Sequence, residues 1–583
     1  MHKRNKRILF ISFIFLLPPL LFIALDQIFP LPLFTKGYST IVYSNDGEII
    51  HGFLSSDDKW RIRADYNEIS GDLSEAIVFK EDKYFWYHPG INLISVVRAF
   101  WNNTITGRRT SGASTITMQV ARMLNPDNRT LKAKFRESYR ALQLEWHYSK
   151  KDILTLYLNL LPYGGNIEGV KTASLMYFGQ EPKELSAAQT VMLTVIPNNP
   201  NVLMPKNRSR LFNNRNYWLL QMGKAGIFTK EEVDDALLEN FGSTRYPISQ
   251  YAPHLSNRLF LSTLKSNRNY TKNNSIIIPS IPDRIYSTLD LSIQSKVESS
   301  ISNYIRTLRS LQITNAAVLV VNNRTMEVKA YAGSAGFNET QFSGQVDGVR
   351  ALRSPGSALK PALYMLAFDK GYVSPKTIVT DVPVNFNGYR PENYDESYRG
   401  KVSIEQALAL SLNVPAVELL DKIGIGDLNI LLANAEFNWI TKNKKKTGLS
   451  LILGGCGTTL EEMTALYASF ANKGIWKPLI YSKEKGDEKS QKIILGSPGS
   501  TYMITEILTS LKRPDLPNEY REAADLPRIA WKTGTSYGRR DAWAIGYNAD
   551  YTVGVWTGNF DGRGVPELNG SDCAVPLLFM IFN

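Results

Sequence analysis

Through the first half of the chain, from about Gly37 to Phe241, apolar residues recur mainly with the 3.6-residue period of amphipathic helices. The clearest case is Leu131–Tyr148, where four residues fall at i, i+4, i+7 and i+11 on one helical stripe: Phe135, Tyr139, Leu142 and Trp146. This pattern predicts a mostly α-helical domain in the first half.

The pattern changes after a polar, proline-containing stretch at Ser266–Pro282, which is typical of a domain junction. Beyond it, Ala316–Val321 and Glu327–Ala332 are rich in β-forming residues and flank Asn322–Arg324, which predicts a β-hairpin. Ile529–Trp531 is predicted to be a further strand, and helical patterns alternate with short strands to the end. The second half is therefore predicted to be an α/β domain.

The chain begins with a basic cluster, Met1–Arg7, followed by an uncharged run, Ile8–Leu25, that Asp26 closes. At about 1.5 Å per residue this run is just long enough to cross a bilayer core as a helix, so it predicts a membrane anchor. The positive-inside rule then places the basic cluster in the cytoplasm and the residues after about Phe29 outside.

Two alternatives to an anchor are weaker. A cleaved signal peptide needs a small-x-small cleavage site, which Ile23–Leu25 does not supply. A buried core helix would not normally carry the adjacent prolines Pro18 and Pro19. We predict exposed loops at Lys442–Lys446 and Ser482–Lys492. The predicted segments are a cytoplasmic tail at 1–7, a transmembrane anchor at 8–28, a helical domain at 38–240, a linker at 241–290 and an α/β domain at 291–583.

Composition narrows the function classes. A chain of 583 residues, 43% hydrophobic and 21% charged, is ordinary globular protein of two or three domains. The formal net charge of +13 favours an anionic partner, and an anionic bilayer satisfies it, so the predicted compartment excludes nucleic acid. Two cysteines, Cys456 and Cys573, are too few for a disulfide framework. No two of the five histidines are spaced as zinc ligands are, which argues against a zinc enzyme.

Three segments of the helical half carry candidate chemistry. Glu81 and Asp82 open the sequence EDKYFWYHPG, which sets two acids beside a dense aromatic cluster, as acid–base sites often do. In the sequence GASTITMQVAR that follows, small and hydroxylated residues let backbone N–H groups approach an anion. Glu137 falls on an otherwise apolar row of its predicted helix, where a carboxylate requires a partner. A purely structural interpretation stays open, since Glu137 could pair with Lys134 or Arg140.

In this order, EDxxFxxHxG, GASTxTxQ and KxxE, followed by Ser149-Lys150 and Tyr157–Asn159, resemble the motifs of family 51 peptidoglycan glycosyltransferases over roughly residues 40–235. The resemblance implies a lysozyme-like domain that joins lipid-linked disaccharides into glycan strands. It implies two catalytic residues: Glu81 as the base for the attacking hydroxyl and Glu137 as the donor-site residue that assists the departing diphosphate. The substrate-binding residues that it implies are Asp82, Ser114, Thr115, Gln119, Arg122 and Lys134.

The same resemblance extends to cofactor and lipid. Mg²⁺ is the cofactor expected at the donor diphosphate, and no other is expected. The apolar segment Ile91–Trp101 is expected to dip into the membrane and admit the lipid tail of the substrate.

A second constellation lies in the α/β half. Ser357 and Lys360 form an SxxK sequence, and residues i and i+3 share a helix face, so the Lys360 amine can reach the Ser357 hydroxyl. An SxN sequence at Ser411–Asn413 and a KTG sequence at Lys532–Gly534 follow. All three, in this order, resemble penicillin-binding proteins and serine β-lactamases.

This resemblance implies catalysis through an acyl-serine. Ser357 attacks the D-Ala–D-Ala carbonyl, Lys360 takes its proton, and Ser411 relays a proton, although the acylation base is unsettled in the family. Lys532 grips the terminal carboxylate and, as a second cation nearby, lowers the pKa of Lys360. Backbone N–H groups of Ser357 and Thr535 are expected to form the oxyanion hole. The implied substrate-binding residues are Asn413, Thr533, Gly534 and Thr535.

Both halves on one anchored chain resemble class A, bifunctional penicillin-binding proteins. The sequences GASTITMQVAR, LQLEWHYSK and WKTGTSYGRRDAW resemble the 1C branch of that family. That branch usually carries a further small C-terminal domain, so we expect either that it is absent here or that the sequence is truncated. The implied fold is a transmembrane helix, a helical lysozyme-like domain, and an α/β, β-lactamase-like domain with an antiparallel sheet.

The resemblance also implies partners and location. We expect lipid II, nascent glycan strands, stem peptides ending in D-Ala–D-Ala, β-lactam antibiotics and membrane lipids, and no nucleic acid. The expected location is the bacterial inner membrane, with a single span and both catalytic domains outside the cytoplasm. Two alternatives remain for the second domain: a D,D-carboxypeptidase or β-lactam hydrolase, and a non-enzymatic scaffold that binds peptides or proteins.

Overall fold

A computed structural model of the chain describes residues 17, 19–31, 36–95, 97–98, 114–128, 130–203, 208–242, 245–268, 282–483, 492–516 and 528–583. The chain forms two compact units. Unit 1 comprises Met1–Ile41, Gly52–Ile248 and Leu264–Asp283, and unit 2 comprises Val42–His51, Ser249–Thr263 and Arg284–Asn583. Of the predicted anchor at 8–28, the structure describes residues 17 and 19–28, and these are helical. No helix within the described ranges is both long and apolar enough to span a membrane.

Unit 1 is mostly helical, as its apolar periodicity predicts. Its helices are α1 (Gly71–Glu81), α2 (Ile116–Leu124), α3 (Leu131–His147), α4 (Lys150–Leu160), α5 (Val170–Phe178), α6 (Ala187–Val195), α7 (Arg208–Lys224) and α8 (Lys230–Leu238). Hydroxyl side chains begin several of these helices, since each accepts a hydrogen bond from a backbone N–H of the first turn that has no intrahelical partner. These N-caps include Ser70, Thr115, Thr130, Ser149 and Ser186.

Helix α3 forms where the sequence predicts it, but its buried face differs from the aromatic stripe. Phe135 and Trp146 are exposed, whereas Ala141 and Leu144, on the row of Glu137, are buried. Of the aromatic stripe, Tyr139 and Trp146 make edge contacts with Phe22. Aromatic size is therefore a poor guide to the core face here, because small residues allow this helix to pack closely on its neighbours.

The strands of the chain's first part are short. They are β1 (Thr40–Tyr43), β2 (Ile49–Phe53), β3 (Pro162–Gly164) and β4 (Ile167–Glu168). Strands β3 and β4 form an antiparallel pair, and β1 and β2 share a small sheet of order β2-β1-β5 with β5 (Arg284–Tyr286).

Unit 2 is built on a five-stranded antiparallel sheet of order β12-β13-β14-β6-β7. The strands are β6 (Asn315–Asn322), β7 (Val328–Ala332), β12 (Ala530–Thr535), β13 (Asp541–Tyr547) and β14 (Tyr551–Gly558). The predicted β6–β7 hairpin is confirmed. The predicted strand near Trp531 is also confirmed, and it continues through the KTG residues as the edge strand β12.

Helices cover both faces of this sheet, so its central strands are buried throughout. The unit's helices are α9 (Pro253–Arg268), α10 (Leu291–Leu308), α11 (Lys360–Asp369), α12 (Ile404–Ala409), α13 (Val414–Ile423), α14 (Ile425–Asn434), α15 (Asn438–Asn443), α16 (Leu460–Ala471), α17 (Pro498–Thr509) and α18 (Val575–Phe582). Apolar residues of α10 and α18 pack on one face, including Ile301, Ile305, Leu577 and Leu578. Two short strand pairs complete the unit: β8 (Ile378–Asp381) with β9 (Gly400–Ser403), and β10 (Ile475–Trp476) with β11 (Ile493–Ile494).

Two segments differ from their predicted form. The predicted linker at 241–290 contains the helix α9, whose Leu255 and Leu259 are buried one turn apart. Lys442–Lys446 is exposed as predicted but is not an irregular loop, because it ends α15 and continues as a 3₁₀ turn at Lys444–Lys446. Most of Ser482–Lys492 lies outside the described residues.

Candidate active sites

In unit 1, Glu81 ends helix α1 and its carboxylate is held by neighbours on both sides. Lys80 donates to one oxygen, and Gln119 Nε2 donates to Oε2 at 3.2 Å. Tyr157 in turn donates its hydroxyl to Gln119 Oε1 at 3.3 Å. Burial, and then the Glu81 carboxylate, raise the pKa of Tyr157 well above its usual range, so Tyr157 remains a donor. Glu81 is thus oriented through Gln119, with part of its side chain still accessible.

Asp82 is buried and joins three segments of unit 1. Its Oδ2 accepts from His88 Nε2 at 2.9 Å and from the backbone N–H of Ile116, at the start of α2, at 3.0 Å. Thr115 caps the same helix and donates to the carbonyl of Gly90 at 2.6 Å. The described contacts of Asp82 and Thr115 are therefore internal, and they fix α2 beside Glu81.

Of the residues predicted for the donor diphosphate, Lys134 and Glu137 on α3 are paired with each other, and Lys134 also contacts Ser114. Lys134 Nζ donates to Glu137 Oε2 at 3.0 Å and to Ser114 Oγ at 2.6 Å. Arg122 lies in the last turn of α2. The pairing of Glu137 with Lys134 satisfies the carboxylate, as the structural interpretation expected, and it also brings Ser114 to the same place.

Sequence reasoning missed the contacts that join α3 and α4 to this site. Lys150 Nζ donates to Glu145 Oε1 and to the carbonyl of His88, both at 2.7 Å, and lies 4.4 Å from the centroid of the Phe85 ring. Glu145 Oε1 also accepts from the Thr117 hydroxyl at 2.6 Å. The lysine could have been found from its place in the motif, whereas nothing in the sequence marks Glu145.

Unit 1 also exposes large apolar side chains near these segments. In the predicted membrane-dipping segment Ile91–Trp101, Ile94 is 82% exposed, and Asn92 is buried. Residues 96 and 99–101 lie outside the described part. Leu93 and Val97 are exposed as well, so that Leu93, Ile94 and Val97 form an exposed apolar cluster along one segment, which is unusual on a surface that faces only water. Other large apolar side chains that unit 1 exposes include Trp86, Tyr87, Phe135, Trp146 and Tyr148.

In unit 2, Ser357 lies in a 3₁₀ turn, Gly356–Leu359, that leads directly into α11. Two glycines allow this turn to lie against the edge strand β12. Gly356 has φ +54°, and a Cβ there would come within 2.3 Å of the carbonyl oxygen of Thr535. A Cβ on Gly534 would come within 2.2 Å of the carbonyl oxygen of Pro355. Neither position tolerates a side chain without moving Ser357 away from the strand.

Three buried side-chain contacts hold the backbone around Ser357. Trp543 Nε1 donates to the Ser354 carbonyl at 2.8 Å, and Tyr467 donates its hydroxyl to the Ala358 carbonyl at 2.7 Å. Ser354 Oγ donates to the Gly454 carbonyl at 2.8 Å. The turn that carries Ser357 is therefore held by contacts both before and after this residue.

Lys360 is fully buried, and it contacts the SxN turn rather than Ser357. Its Nζ donates to the carbonyls of Ser411 and Leu412 at 2.6 and 3.0 Å and to Asn413 Oδ1 at 2.7 Å. Among the described hydrogen bonds, none joins Lys360 to Ser357, so the reach of Lys360 to Ser357 stays a prediction.

The pKa of Lys360 is lowered well below its usual value, with burial as the larger cause and Lys532 as the smaller. From the sequence, only the second cause, the charge of Lys532, is predicted. A neutral amine has two N–H donors and one lone pair, whereas three acceptors surround Nζ. Deprotonation of Lys360 therefore releases one of these contacts and leaves a lone pair that can take a proton.

Lys532 is buried beside Ser411 and is the second lysine of the site. Its Nζ donates to Ser411 Oγ at 2.8 Å and to the carbonyl of Thr533 at 3.2 Å. Burial lowers the pKa of Lys532 to about 7. Ser411 has φ +58°, and its left-handed conformation directs its carbonyl to one lysine and its hydroxyl to the other.

The remaining predicted residues lie around the same centre. Asn413 Nδ2 donates to the Glu392 carbonyl at 2.6 Å, and since an amide nitrogen carries two hydrogens, one remains for a substrate. Thr533 and Thr535 are partly exposed on β12, where Thr535 Oγ1 accepts from the Gly570 N–H at 3.1 Å. Hydrogen bonds thus join Lys360, Ser411, Asn413 and Lys532, and the turn that carries Ser357 packs against β12, the strand of Thr533, Gly534 and Thr535.

Comparison with known proteins agrees with this division. The transglycosylase family model matches residues 46–223, and the penicillin-binding protein transpeptidase domain matches residues 316–565. The chain is 39% identical to penicillin-binding protein 1C of Escherichia coli, over 97% of this chain and 71% of that protein. It is 26% identical to penicillin-binding protein 1B of Haemophilus influenzae, over 90% and 69% of the two chains. The crystal structure of penicillin-binding protein 1A from Haemophilus influenzae shares the fold, with a TM-score of 0.54 at 16% identity and coverage of 94% and 92%.

The low pKa of Lys532 gives a pH prediction. Lys532 is cationic only below about pH 7, so the attraction of an anionic penicillin should weaken above that pH. We expect the second-order acylation rate constant to fall by up to about tenfold per pH unit on the alkaline side. The measurement is stopped-flow acylation across pH with a penicillin and, as a control, its neutral methyl ester, which should lack this alkaline limb. Identical pH profiles for the two ligands would contradict the assignment.

Proposed function

Because the chain belongs to the class A penicillin-binding proteins, we propose that the two sites just described divide a peptidoglycan synthase reaction between them. Unit 1 carries the transglycosylase domain and unit 2 the penicillin-binding transpeptidase domain, so the chain is a bifunctional synthase. The observation that supports the assignment of residues is that Lys360 and Lys532 both donate to Ser411, while the turn that carries Ser357 packs against the strand of Lys532.

For glycan polymerisation, the proposed substrate is lipid II, a disaccharide-pentapeptide on a lipid diphosphate. Glu81 removes the proton from the attacking sugar hydroxyl as that oxygen bonds to the donor's anomeric carbon and the diphosphate departs. The orientation of Glu81 by Gln119 supports this role. Lys134 and Arg122 supply the positive charge that stabilises the leaving diphosphate.

Glu137 is proposed to act in the donor site through its contact with Lys134. The described residues include no group of three or more His, Cys, Asp or Glu side chains that could hold a metal. One carboxylate together with diphosphate oxygens is nevertheless a donor set that suits Mg²⁺. If bound, Mg²⁺ would be held by Glu137 and the substrate and would neutralise charge on the leaving group.

For crosslinking, the proposed substrate is a stem peptide ending in D-Ala–D-Ala. Ser357 Oγ bonds to the penultimate carbonyl carbon while its proton passes to the Lys360 amine, and the terminal D-Ala leaves with a proton relayed through Ser411. Lys532, Thr533 and Thr535 bind the terminal carboxylate, and the N–H groups of Ser357 and Thr535 receive the oxyanion. An amine of a second stem peptide then takes the acyl group and releases Ser357.

A β-lactam is proposed to react with Ser357 by the same first step. Ser357 opens the lactam ring, and because the former amide nitrogen stays attached, the acyl-serine persists. Asn413 and the exposed edge of β12 hold the substrate backbone as an added strand would be held. If water replaces the acceptor amine, the same intermediate yields carboxypeptidase activity, so the two outcomes differ only in the second step.

The exposed apolar cluster of unit 1 supports a membrane setting. Leu93, Ile94 and Val97 would contact acyl chains beside the lipid-linked substrate. Together with the predicted anchor at 8–28, this supports a single-pass protein of the bacterial inner membrane, with both catalytic units outside the cytoplasm.

The anchor prediction is tested by topology. A reporter enzyme that works only outside the cytoplasm should be active when it is fused after Asn583, and a reporter that works only inside should be inactive, because Met1–Arg7 is expected to stay inside. N-terminal sequencing of the purified protein should recover Met1 or the residue after it. A mature protein that begins near Asp26 would instead identify a cleaved signal peptide.

The polymerase assignment is tested by Glu81→Gln, which keeps size but removes the base. Glycan synthesis from purified lipid II should fall by roughly 10² or more, measured as polymer formed per minute. Glu75→Gln on the exposed face of the same helix is the matched control and should polymerise normally. Wild-type polymerisation by Glu81→Gln would show that another group is the base.

The transpeptidase assignment is tested by Ser357→Ala and Lys360→Ala. Ser357→Ala should abolish labelling by fluorescent penicillin and leave glycan polymerisation largely intact, and Lys360→Ala should slow labelling steeply. Mass spectrometry should find one penicilloyl adduct per chain, on Ser357. An adduct on Ser354 or Ser411 would refute the assignment, and absence of labelling in folded wild-type protein would favour the scaffold alternative. Analysis of crosslinked against trimmed peptides separates transpeptidation from carboxypeptidation.

A further inference from the structure

The Ser411–Asn413 turn, which accepts the hydrogen bonds of Lys360, is held in place by residues outside the three motifs. Between β8 and β9 the chain passes through Glu392 and Asn393. Asn393 Oδ1 accepts from the backbone N–H of Asn413 at 2.8 Å, and the Glu392 carbonyl accepts from Asn413 Nδ2 at 2.6 Å. Asn413 is thus held at both its backbone and its side chain by two consecutive residues.

Asn393 is in turn held by a buried carboxylate. Its Nδ2 lies 2.9 Å from both oxygens of Asp381 and 2.8 Å from the Ser397 carbonyl. Asp381, at the end of β8, is fully buried and also accepts from the Arg399 backbone N–H at 2.8 Å. Among the described residues, no ion pair involves Asp381.

A buried carboxylate without a cation costs folding free energy, so its hydrogen bonds have to be well made for it to be retained. Burial and Asp381 both raise the pKa values of Tyr364 and Glu418, which places a hydroxyl and a second carboxyl near it rather than a positive charge. The negative charge of Asp381 instead strengthens the bonds donated by Asn393 and thereby fixes the orientation of its amide.

The residue order of the turn makes this orientation matter for Lys360. Ser411 adopts a left-handed conformation that is unfavourable for a non-glycine residue, and Asn413 follows it by two positions. The carbonyls of Ser411 and Leu412 and the Oδ1 of Asn413 are the three acceptors of Lys360 Nζ. A shift of the Asn413 backbone would therefore move all three acceptors.

We infer that Asp381 and Asn393 are positioning residues for acylation: through Asn413 they hold the Ser411–Asn413 turn so that Lys360 is aligned to take the proton of Ser357. This inference rests on the proposed role of Lys360. Asp381 and Asn393 act through Asn413, which also takes part in proposed substrate binding, so their loss should slow acylation most and weaken β-lactam recognition to a smaller extent.

The test measures the full-length protein with a fluorescent penicillin at a series of concentrations, which separates the saturating acylation rate from the half-saturating concentration. Asn393→Ala should lower the saturating rate by roughly 10- to 100-fold, with a smaller rise in the half-saturating concentration because Asn413 is also proposed to contact the substrate. Asp381→Asn, which keeps the shape but removes the charge, should act in the same direction. In the double variant the two losses should be less than additive, because both residues act through one contact.

Asn429→Ala is the matched control. Asn429 is a buried asparagine of the same unit that donates to Thr447 Oγ1 at 2.8 Å, and no described hydrogen bond joins it to the SxN turn. Its loss should lower the unfolding temperature without changing the acylation rate of the folded fraction. A purely structural role for Asn393 would give that same result.

The inference is overturned if folded Asn393→Ala or Asp381→Asn acylates at the wild-type saturating rate. If Asn393→Ala does not fold, Asp381→Asn decides alone, with glycan polymerisation and thermal unfolding reporting its integrity. The Lys360→Ala variant separates the two hypotheses. Slow acylation by Lys360→Ala with normal acylation by both network variants contradicts only this inference, whereas normal acylation by Lys360→Ala contradicts the proposed function.

Discussion

Two lysine side chains, Lys360 and Lys532, are buried together in unit 2 beside neutral hydrogen-bond acceptors, and the arrangement of the site follows from that constraint. Removing an ammonium group from water is unfavourable unless its donors are matched or its proton is released. Unit 2 does both: polar atoms of the SxN turn surround the lysines, and burial lowers both pKa values. Burial thus favours the form of Lys360 that can accept a proton, and it lets Lys532 change its charge near neutral pH.

The sequence predicts the parts of this site that are contiguous in the chain. The three motifs, the β6–β7 hairpin and the strand through Trp531 are local patterns, and each is found where it was predicted. The contacts between motifs could not be predicted in the same way. The i, i+3 spacing concerns Ser357 and Lys360 alone, whereas the hydrogen bonds of the Lys360 amine go to the SxN turn, which lies some fifty residues further along the chain. Asp381 and Asn393 carry no local signal at all.

Unit 1 shows the same limit. Helix α3 was predicted from an aromatic stripe that the structure exposes, while its buried row includes the candidate Glu137. The family resemblance implies that Asp82 binds substrate, and its described partners are His88 and the first N–H of α2. Two acids that are adjacent in the sequence can therefore have different roles. Glu81 is oriented by Gln119 with part of its side chain accessible, whereas Asp82 holds α2 in place, and only their hydrogen-bond partners distinguish the two.

The glycines around the nucleophile have a consequence for how this protein can change under drug pressure. Backbone meets backbone at Gly356 and Gly534, and a Cβ on Gly454 would come within 2.5 Å of the Gly356 nitrogen. No side chain can be added at these three positions to crowd an inhibitor without also displacing Ser357. Substitutions that weaken inhibition while preserving crosslinking are therefore expected at positions other than these three glycines. Resistance through substitution is thus not expected at Gly356, Gly454 or Gly534.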